Sequence, residues 1–201
     1  HEIVSHTDGV VDGDKIFDFI NAYQEINHLT IDEIWVLGIM IKTALLERIC
    51  SIASKLAYIR KERDLADKYA DGLINIKDRD KKELEKYLIR CFGKAGLDRQ
   101  TLIEHFTHRI KAYKNLTAVC RDYFNEKLSE FESDLEKLVR MEHELQTSLQ
   151  VSIGNCITSL RELDALDYNA LFPRLCRVEQ ILREDPAGCY EAMDRESRDF
   201  Y

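Results

Sequence analysis

Two long stretches of the chain repeat apolar residues at alternating three- and four-residue steps, the spacing of one face of an α-helix. Thr30 and Glu33 form a capping box before the first stretch, and Gly72 can close its helix after about Tyr69. We expect another helix to cross closely at Gly38, because glycine lets two backbones approach. The apolar positions of this stretch are Ile31, Ile34, Gly38, Ile41, Leu45, Ile49, Ile52, Leu56 and Ile59.

The second stretch begins near Ser129 and predicts another long helix that runs towards Leu166. Glu142 interrupts its apolar row, and a carboxylate in such a row needs a partner, because an uncompensated buried charge is unfavourable. Two roles fit Glu142, an acid in a pocket or a structural pair with an arginine such as Arg161, and we favour the pair. The apolar positions of this stretch are Phe131, Leu135, Leu138, Leu145, Leu149, Ile153, Ile157 and Leu160.

Shorter amphipathic stretches surround the two long ones. The first predicts a helix at about 14–26 that buries Ile16, Phe19, Ile20 and Tyr23. The fold class predicted is all-α, an elongated antiparallel helical bundle with two long helices and several short ones. We treat residues 1–201 as a single helical domain, with 1–75 and 76–201 as a possible subdivision. The remaining short helices are expected at about 80–92, 98–115, 116–127 and 168–183, the last containing Pro173.

Composition narrows the class of protein. The chain has only 8 Gly and 2 Pro among 201 residues, too few for the turns of a β-sandwich or barrel. Its net charge of −8 argues against nucleic acid as a partner, because phosphate backbones attract basic surfaces. The longest apolar run, from Ile34 to Ile41, is too short to span a membrane. Because the chain opens with His1 in helix-like sequence, we interpret it as a fragment of a longer protein.

Candidate chemistry is sparse. The sequence contains no nucleophile elbow, P-loop or glycine-rich dinucleotide motif, so we assign no catalytic and no cofactor-binding residues. The six cysteines are widely spaced, and His105 with His108 lacks further ligands, so we assign no metal ligands. Cys50, Cys156 and Cys176 lie in apolar helical rows, where we expect buried free thiols and therefore a reducing compartment.

Small polar residues line one side of the second long helix. Ser152, Asn155 and Ser159 recur at helical spacing beside Gly154. Hydroxyl and amide groups in this arrangement can hydrogen-bond a sugar or a partner helix. Small side chains equally suit a tight contact between two helices, and we favour that interpretation.

Several stretches, taken in order along the chain, form a recognisable series. They are His6–Gly9, Ala22–Glu25, Leu29–Trp35, Val151–Asn155, Ile157–Arg161, Val178–Glu179, Leu182–Gly188, Tyr190, Met193–Asp194, Ser197–Asp199 and Tyr201. This series resembles the cyclic β-1,2-glucan synthases, although Asp32 departs from the glycine usual in that family and Arg195 from the phenylalanine. The resemblance covers nearly the whole chain, although residues 76–131 are not distinctive.

The resemblance implies a parent protein much larger than this chain. That parent would be a bacterial inner-membrane glucosyltransferase that uses UDP-glucose, and a divalent metal, to make β-1,2-glucan. This chain would then be its N-terminal helical region on the cytoplasmic side of the membrane, without a membrane span of its own. The family's transferase motifs are absent, so we expect this region alone not to be an enzyme.

Two functions follow from the resemblance. In the first, the chain is an accessory non-catalytic helical domain that supports the transferase or contacts nascent β-1,2-glucan. In the second, it is a protein-interaction or oligomerisation module without glucan contact. Its partner in both is the remainder of the parent synthase. The residues of a candidate polar interaction face are Glu142, Ser152, Asn155, Ser159, Arg161, Asp185, Asp194, Arg198 and Asp199.

Overall fold

The fold is built from α-helices of very different lengths. The computed structural model describes residues 1–76, 80–93, 99–129, 135–194 and 197–198. These residues form helices and no strands, which confirms the predicted all-α class with two long helices. In chain order the helices are α1 (Glu2–His6), α2 (Gly13–Gln24), α3 (Ile31–Ile74), α4 (Lys81–Phe92), α5 (Gln100–Ile110), α6 (Lys114–Ser129), α7 (Leu135–Ala165), α8 (Tyr168–Leu175), α9 (Arg177–Leu182) and α10 (Cys189–Ala192).

The start of α3 is the predicted capping box. The backbone N–H of Thr30 donates to the Glu33 carboxylate at 2.8 Å, and the N–H of Glu33 donates to the Thr30 hydroxyl at 3.3 Å. At Gly38 a side chain and not a helix backbone approaches closely, because the Tyr168 ring of α8 lies 2.6 Å from the place where a Cβ would stand. The predicted end at Gly72 is wrong, since α3 continues to Ile74.

The buried face of α2 differs from the prediction. Ile16 and Ile20 are buried as expected, whereas Phe19 and Tyr23 are exposed. The third buried residue of α2 is instead Gln24, whose side-chain amide donates to the carbonyl oxygen of Leu175 at 2.9 Å. α2 packs on α8, and a buried amide with a backbone partner is tolerated in such a contact.

The start predicted for the second long helix, near Ser129, adjoins residues that the structure does not describe. Ser129 belongs to α6, and the described part of α7 begins at Leu135. Phe131 and residue 98, where a short helix was expected to begin, lie outside the described residues. In the later part of α7, Ile157 is 40% exposed. The buried positions there are Ser152, Cys156, Ser159 and Leu163, so small polar residues face the interior where an apolar row was expected.

The predicted helix at 168–183 is divided into α8 and α9 at Cys176. Asp167 caps α8 by accepting from the N–H groups of Asn169 and Ala170. Pro173 lies within α8, and the Cys176 sulfur accepts from the N–H of Glu179 at the start of α9.

The chain forms two compact units. The first comprises His1–Cys50 with Val151–Tyr201, and the second comprises Ser51–Gln150. The first core is centred on Val11, Ile16, Leu45, Cys156 and Leu163, and the second on Leu88, Leu102, Phe106, Ile110 and Phe124. The first unit is discontinuous along the chain, unlike either part of a division at residue 75, and the single-domain assignment stays a prediction.

The cysteines are all free thiols. Cys156 and Cys176 are buried, as expected from their helical rows, but Cys50 is exposed, so its predicted burial is wrong. Burial raises the pKa of the Cys156 thiol, which makes it less reactive. Within the part of the chain that the structure describes, no helix combines the length and apolar character needed to cross a bilayer.

Candidate functional site

A turn between α1 and α2 lies directly against α7. Asp8 and Gly9 both have left-handed backbones, with φ angles of 49° and 80°. A Cβ at Gly9 would stand 2.5 Å from the Cys156 sulfur and 3.3 Å from the Cys156 backbone nitrogen. Glycine is therefore needed here for two reasons, its backbone conformation and the closeness of α7.

The polar residues of this contact form what we call the turn cluster: Asp8, Arg48, Ser152, Asn155 and Ser159. The Ser152 hydroxyl and an Arg48 guanidinium nitrogen, at 3.3 Å, donate to the Asp8 carboxylate. The Asn155 amide donates to the Asp8 carbonyl oxygen at 3.1 Å, and the Ser159 hydroxyl accepts from the N–H of Val11 at 2.8 Å. The three small polar residues of α7 thus bind a turn of their own chain.

The C-terminal residues form a second group, the tail cluster: Glu179, Arg183, Tyr190 and Arg198. The Tyr190 hydroxyl and the Arg183 guanidinium both donate to the buried Glu179 carboxylate, and Arg198 lies 3.9 Å from it. Burial acts to raise the pKa of Glu179, but these donors outweigh it and hold that pKa below its ordinary value. Burial and the Glu179 charge raise the pKa of Tyr190 to about 12.

Asp185 organises the turn between these tail elements. Its carboxylate accepts from the N–H groups of Ala187 at 2.8 Å, Cys189 at 2.8 Å and Tyr190 at 3.1 Å. These backbone donors lower the pKa of Asp185, so the group is charged in the folded protein. Asp185 therefore fixes the path of the chain into α10.

The other members of the predicted polar face are dispersed. Asp194 accepts from the N–H of Ser197 at 2.8 Å, and Arg161 is exposed on α7. Asp199 lies outside the described residues. Apart from Glu142, the described members belong to the first unit, and their role as one ligand-binding face stays a prediction.

Glu142 belongs to the second unit, where it lines a pocket of about 400 Å³ that we call the side pocket. Its carboxylate accepts from the Thr101 hydroxyl at 2.8 Å and the Gln146 amide at 2.6 Å. The hydrogen bonds described for Glu142 thus come from Thr101 and Gln146 and not from the suggested Arg161. Both readings of Glu142 hold in part, since it has structural partners and faces a pocket.

A partly buried ion pair lies beside Glu142 in the same pocket. Arg99 donates from two nitrogens to the two oxygens of Glu62, at 2.9 Å and 2.7 Å. The Glu62 side chain is only 7% exposed. Glu62 therefore faces inward, although it lies in the charged run Arg60–Arg63.

A larger groove of about 1140 Å³ lies between α5, α6 and α7. Its walls carry both signs of charge, including Lys111, Arg140 and Glu144. Glu104 is buried at its edge and lies 3.5 Å from His143. Mixed charge of this kind does not select one class of ligand.

Histidine and cysteine positions bear on metal binding. His105 lies 3.2 Å from Asp67, which also pairs with Arg109 at 2.9 Å. Among the residues that the structure describes, no group of three His, Cys, Asp or Glu side chains is placed to hold a metal ion.

Comparison with known proteins gives one informative match. Cyclic beta-(1,2)-glucan synthase NdvB of Rhizobium meliloti (strain 1021) is 27% identical to the chain over 198 residues, which is 98% of the chain. The chain is homologous to a part of this synthase. It spans 7% of the length of NdvB. No family model matches the chain, and no solved structure matches it significantly.

The stretches that resemble the glucan synthases meet in the first unit. The turn His6–Gly9 binds the stretch Val151–Asn155 through the turn cluster. Trp35, which ends a third stretch, stacks on Phe172 with 4.4 Å between ring centroids. The similarity to NdvB thus includes stretches that this chain uses to assemble its own fold.

Sequence reasoning overlooked several residues of these sites. Asp8 was part of a matching stretch but was not expected to be a partner of Ser152, because a contact between positions so far apart in sequence leaves no trace in local periodicity. Gln24 and Glu62 were missed because polar residues are expected at the surface. The adjacent residues Asp8 and Gly9 were the one available sign, since both tolerate left-handed backbone.

Proposed function

We propose that the chain is an accessory, non-catalytic helical region of a cyclic β-1,2-glucan synthase, and that it supports the transferase by packing against other parts of the same protein. The homology to NdvB over 98% of the chain carries this proposal. The parent would transfer glucose from UDP-glucose, with a divalent metal, at a site outside this chain. The region would lie on the cytoplasmic side of the bacterial inner membrane.

The hydrogen bonds of the turn cluster favour a structural role for the chain over a catalytic one. Ser152, Asn155 and Ser159, the residues best suited by type to hold a sugar, bind the N-terminal turn. Buried groups with satisfied partners stabilise a fold, whereas a catalytic group must reach a reacting atom. We therefore assign the turn cluster to folding.

An exposed row of apolar residues offers the surface for packing. We call it the α3 face: Val36, Ile39, Met40 and Leu46, which are 44%, 69%, 60% and 53% exposed. Their spacing places them on one side of α3. Contiguous exposed apolar side chains mark interaction surfaces more often than single ones do. The occupant we propose is the remainder of the synthase, because the homologous segment is only 7% of NdvB.

The test is substitution on the α3 face within the full-length synthase. Ile39→Glu with Met40→Glu introduces charge into the proposed contact, so we expect β-1,2-glucan synthesis from UDP-glucose in membranes to fall at least fivefold. Ile181→Glu is the matched control, because Ile181 is 67% exposed on another helix of the same unit. Circular dichroism of the isolated chain shows whether the helices persist.

Wild-type synthesis by the doubly substituted protein, at wild-type abundance, would contradict docking through the α3 face. An equal loss in the Ile181→Glu control would also contradict it, because the effect would then come from added charge anywhere on the unit.

A second candidate function is self-association of the synthase, and the same exposed row favours it. Apolar helix faces also pair with copies of themselves. Sedimentation of the isolated chain distinguishes the two functions. A concentration-dependent dimer abolished by Ile39→Glu supports self-association, whereas a monomer at all concentrations leaves docking to the remainder of the synthase.

A further inference from the structure

We propose that the side pocket of the second unit binds a neutral gluco-oligosaccharide, with β-1,2-linked glucose as the ligand. Three elements form the pocket. α3 contributes Tyr58 and Glu62, the residues before and within the first turn of α5 contribute Arg99 and Thr101, and α7 contributes Glu142. None of these residues takes part in the turn cluster, the tail cluster or the α3 face.

The size of the side pocket suits a small ligand. Its volume of about 400 Å³ falls within the range of about 300–1,000 Å³ that is typical of small-molecule sites. Ile59, Leu145 and Leu149 supply an apolar wall. Small-molecule binding sites usually combine an apolar wall with a few convergent polar groups.

The polar groups of the pocket are held in place before any ligand arrives. Arg99 fixes Glu62, and Thr101 fixes Glu142, through the hydrogen bonds described above. A carboxylate has about four acceptor positions and a guanidinium has five donors, so each group keeps capacity beyond these bonds. Neighbouring sugar hydroxyls need acceptors and donors side by side, which a carboxylate next to an arginine provides.

Tyr58 supplies a ring at the mouth of the pocket. It is 55% exposed, although tyrosine would gain free energy from burying its ring. The C–H face of a pyranose ring is apolar, and it packs on an aromatic ring while its hydroxyls point to polar groups around the edge. Tyr58 beside Glu62 and Arg99 provides both parts of that arrangement.

The charge of the pocket selects a neutral ligand. Glu62 and Glu142 are formally balanced by Arg99 and Lys55, all of which line it. A nucleoside diphosphate needs an excess of positive charge to offset its phosphates, and the pocket has none. A neutral oligosaccharide therefore fits better than the nucleotide sugar.

The choice of β-1,2-linked glucose rests on the proposed function, because the pocket chemistry itself selects for hydroxyl groups and not for a linkage. NdvB is by name a synthase of cyclic β-(1,2)-glucan. If the proposed function holds, the second unit would hold a stretch of product beside the transferase.

The test is calorimetric titration of the purified chain with linear β-1,2-gluco-oligosaccharides, and separately with β-1,4-gluco-oligosaccharides and UDP-glucose. We expect saturable binding of the β-1,2 series and at least tenfold weaker binding by Tyr58→Ala. Tyr58 is exposed, so its loss should leave the fold intact. Leu145→Arg, which places a long charged side chain at the pocket, should weaken binding similarly.

Tyr23→Ala is the matched control, since Tyr23 is 46% exposed in the other unit, and it should bind as the wild type does. Absence of binding to the β-1,2 series overturns the proposal, as does unchanged affinity in Tyr58→Ala or a preference for β-1,4 oligosaccharides or UDP-glucose. The result is independent of the α3 face, whose variants are assayed by polymer synthesis, so either proposal can fail without the other.

Discussion

Gly9 and Gly154 lie in two stretches that resemble the glucan synthases, yet their surroundings are opposite. Gly9 has a φ angle of 80° and stands against Cys156. Gly154 lies within α7, and a Cβ there would meet nothing within 4 Å. Only Gly9 is required by the fold, because a side chain at Gly154 would extend into open space.

Substitution of the two glycines should therefore change stability in opposite directions. Gly9→Ala should lower the free energy of unfolding by about 2–3 kcal/mol, through left-handed strain and overlap with Cys156. Gly154→Ala should raise it by about 0.5–1 kcal/mol, since alanine favours helix over glycine. Urea denaturation followed by circular dichroism measures both. A Gly9→Ala protein as stable as the wild type would refute the contact with α7.

Glu179 makes the stability of the protein depend on pH. Its pKa is lower in the folded chain than the ordinary value of 4.5, so the folded state favours the charged form. The contribution of Glu179 is therefore complete above about pH 4.5 and is lost as the pH falls through the lower folded pKa. Tyr190 titrates far away, at about 12, so its hydroxyl remains a donor throughout that range.

Glu179→Gln should be less stable than the wild type at neutral pH, and the difference should shrink below pH 4.5. Thermal melting midpoints of the two proteins between pH 3 and pH 7 test this. Glu191→Gln, an exposed change in the neighbouring α10, is the control and should show no such convergence. If the melting midpoints of the wild type and Glu179→Gln differ by the same amount at every pH, the charge of Glu179 is not the cause of the difference.

The sequence predicts the surroundings of some individual residues and not of others. The Thr30–Glu33 cap was predictable because its partners are three residues apart and its geometry is local. The burial of Gln24 was not predictable, because its partner Leu175 belongs to a helix that is far away in the sequence. Glu62 was missed for the same reason, since Arg99 satisfies it from another element. Whether a polar side chain is buried depends on partners that the neighbouring sequence does not reveal.

At the scale of helices, α3 shows why a glycine does not always end a helix. Gly72 lies two residues before the end of α3, where the Tyr87 hydroxyl would stand 2.0 Å from a Cβ. That hydroxyl donates to the carbonyl oxygen of Tyr69 at 3.0 Å. Burial raises the pKa of Tyr87 to about 12, with Cys91 adding to the effect. Gly72 therefore serves to admit a side chain from α4.

Gly72→Ala should test this role of the glycine. In a Tyr87→Ala background the added methyl should stabilise the protein by about 1 kcal/mol, the usual gain of alanine over glycine in a helix. In the wild-type background that gain should be cancelled by displacement of Tyr87. A double-mutant cycle by urea denaturation should therefore give a coupling of about 1–2 kcal/mol. Equal effects in both backgrounds would show that the two residues do not interact.

Element positions were predicted better than element faces. Periodicity located α2, α4 and α6 to within a few residues, because it reports local spacing. It misassigned the inner face of α7, where Ser152 and Ser159 are buried and Ile157 is exposed. Serine is buried there because a turn approaches closely and supplies hydrogen bonds, and the distance between turn and helix along the sequence hides that approach.

At the scale of the whole molecule, the all-α class and the relation to glucan synthases were predictable, and the division into units was not. Class follows from composition and periodicity, which are present in every segment. The first unit joins residues 1–50 to residues 151–201, and only contacts between distant segments define it. The side pocket was likewise hidden, since α3, α5 and α7 each contribute part of it.

The discontinuity of the first unit has a consequence for how the protein is made. A ribosome releases residues 51–150 as one uninterrupted segment, so the second unit can fold as soon as that segment has emerged. Val11 and the turn at Asp8 must wait until Ser152, Cys156 and Ser159 have been synthesised. During that interval the N-terminal apolar residues lack the part of their core that residues 151–201 supply, so slow translation after residue 150 would leave them open to chaperones and to aggregation.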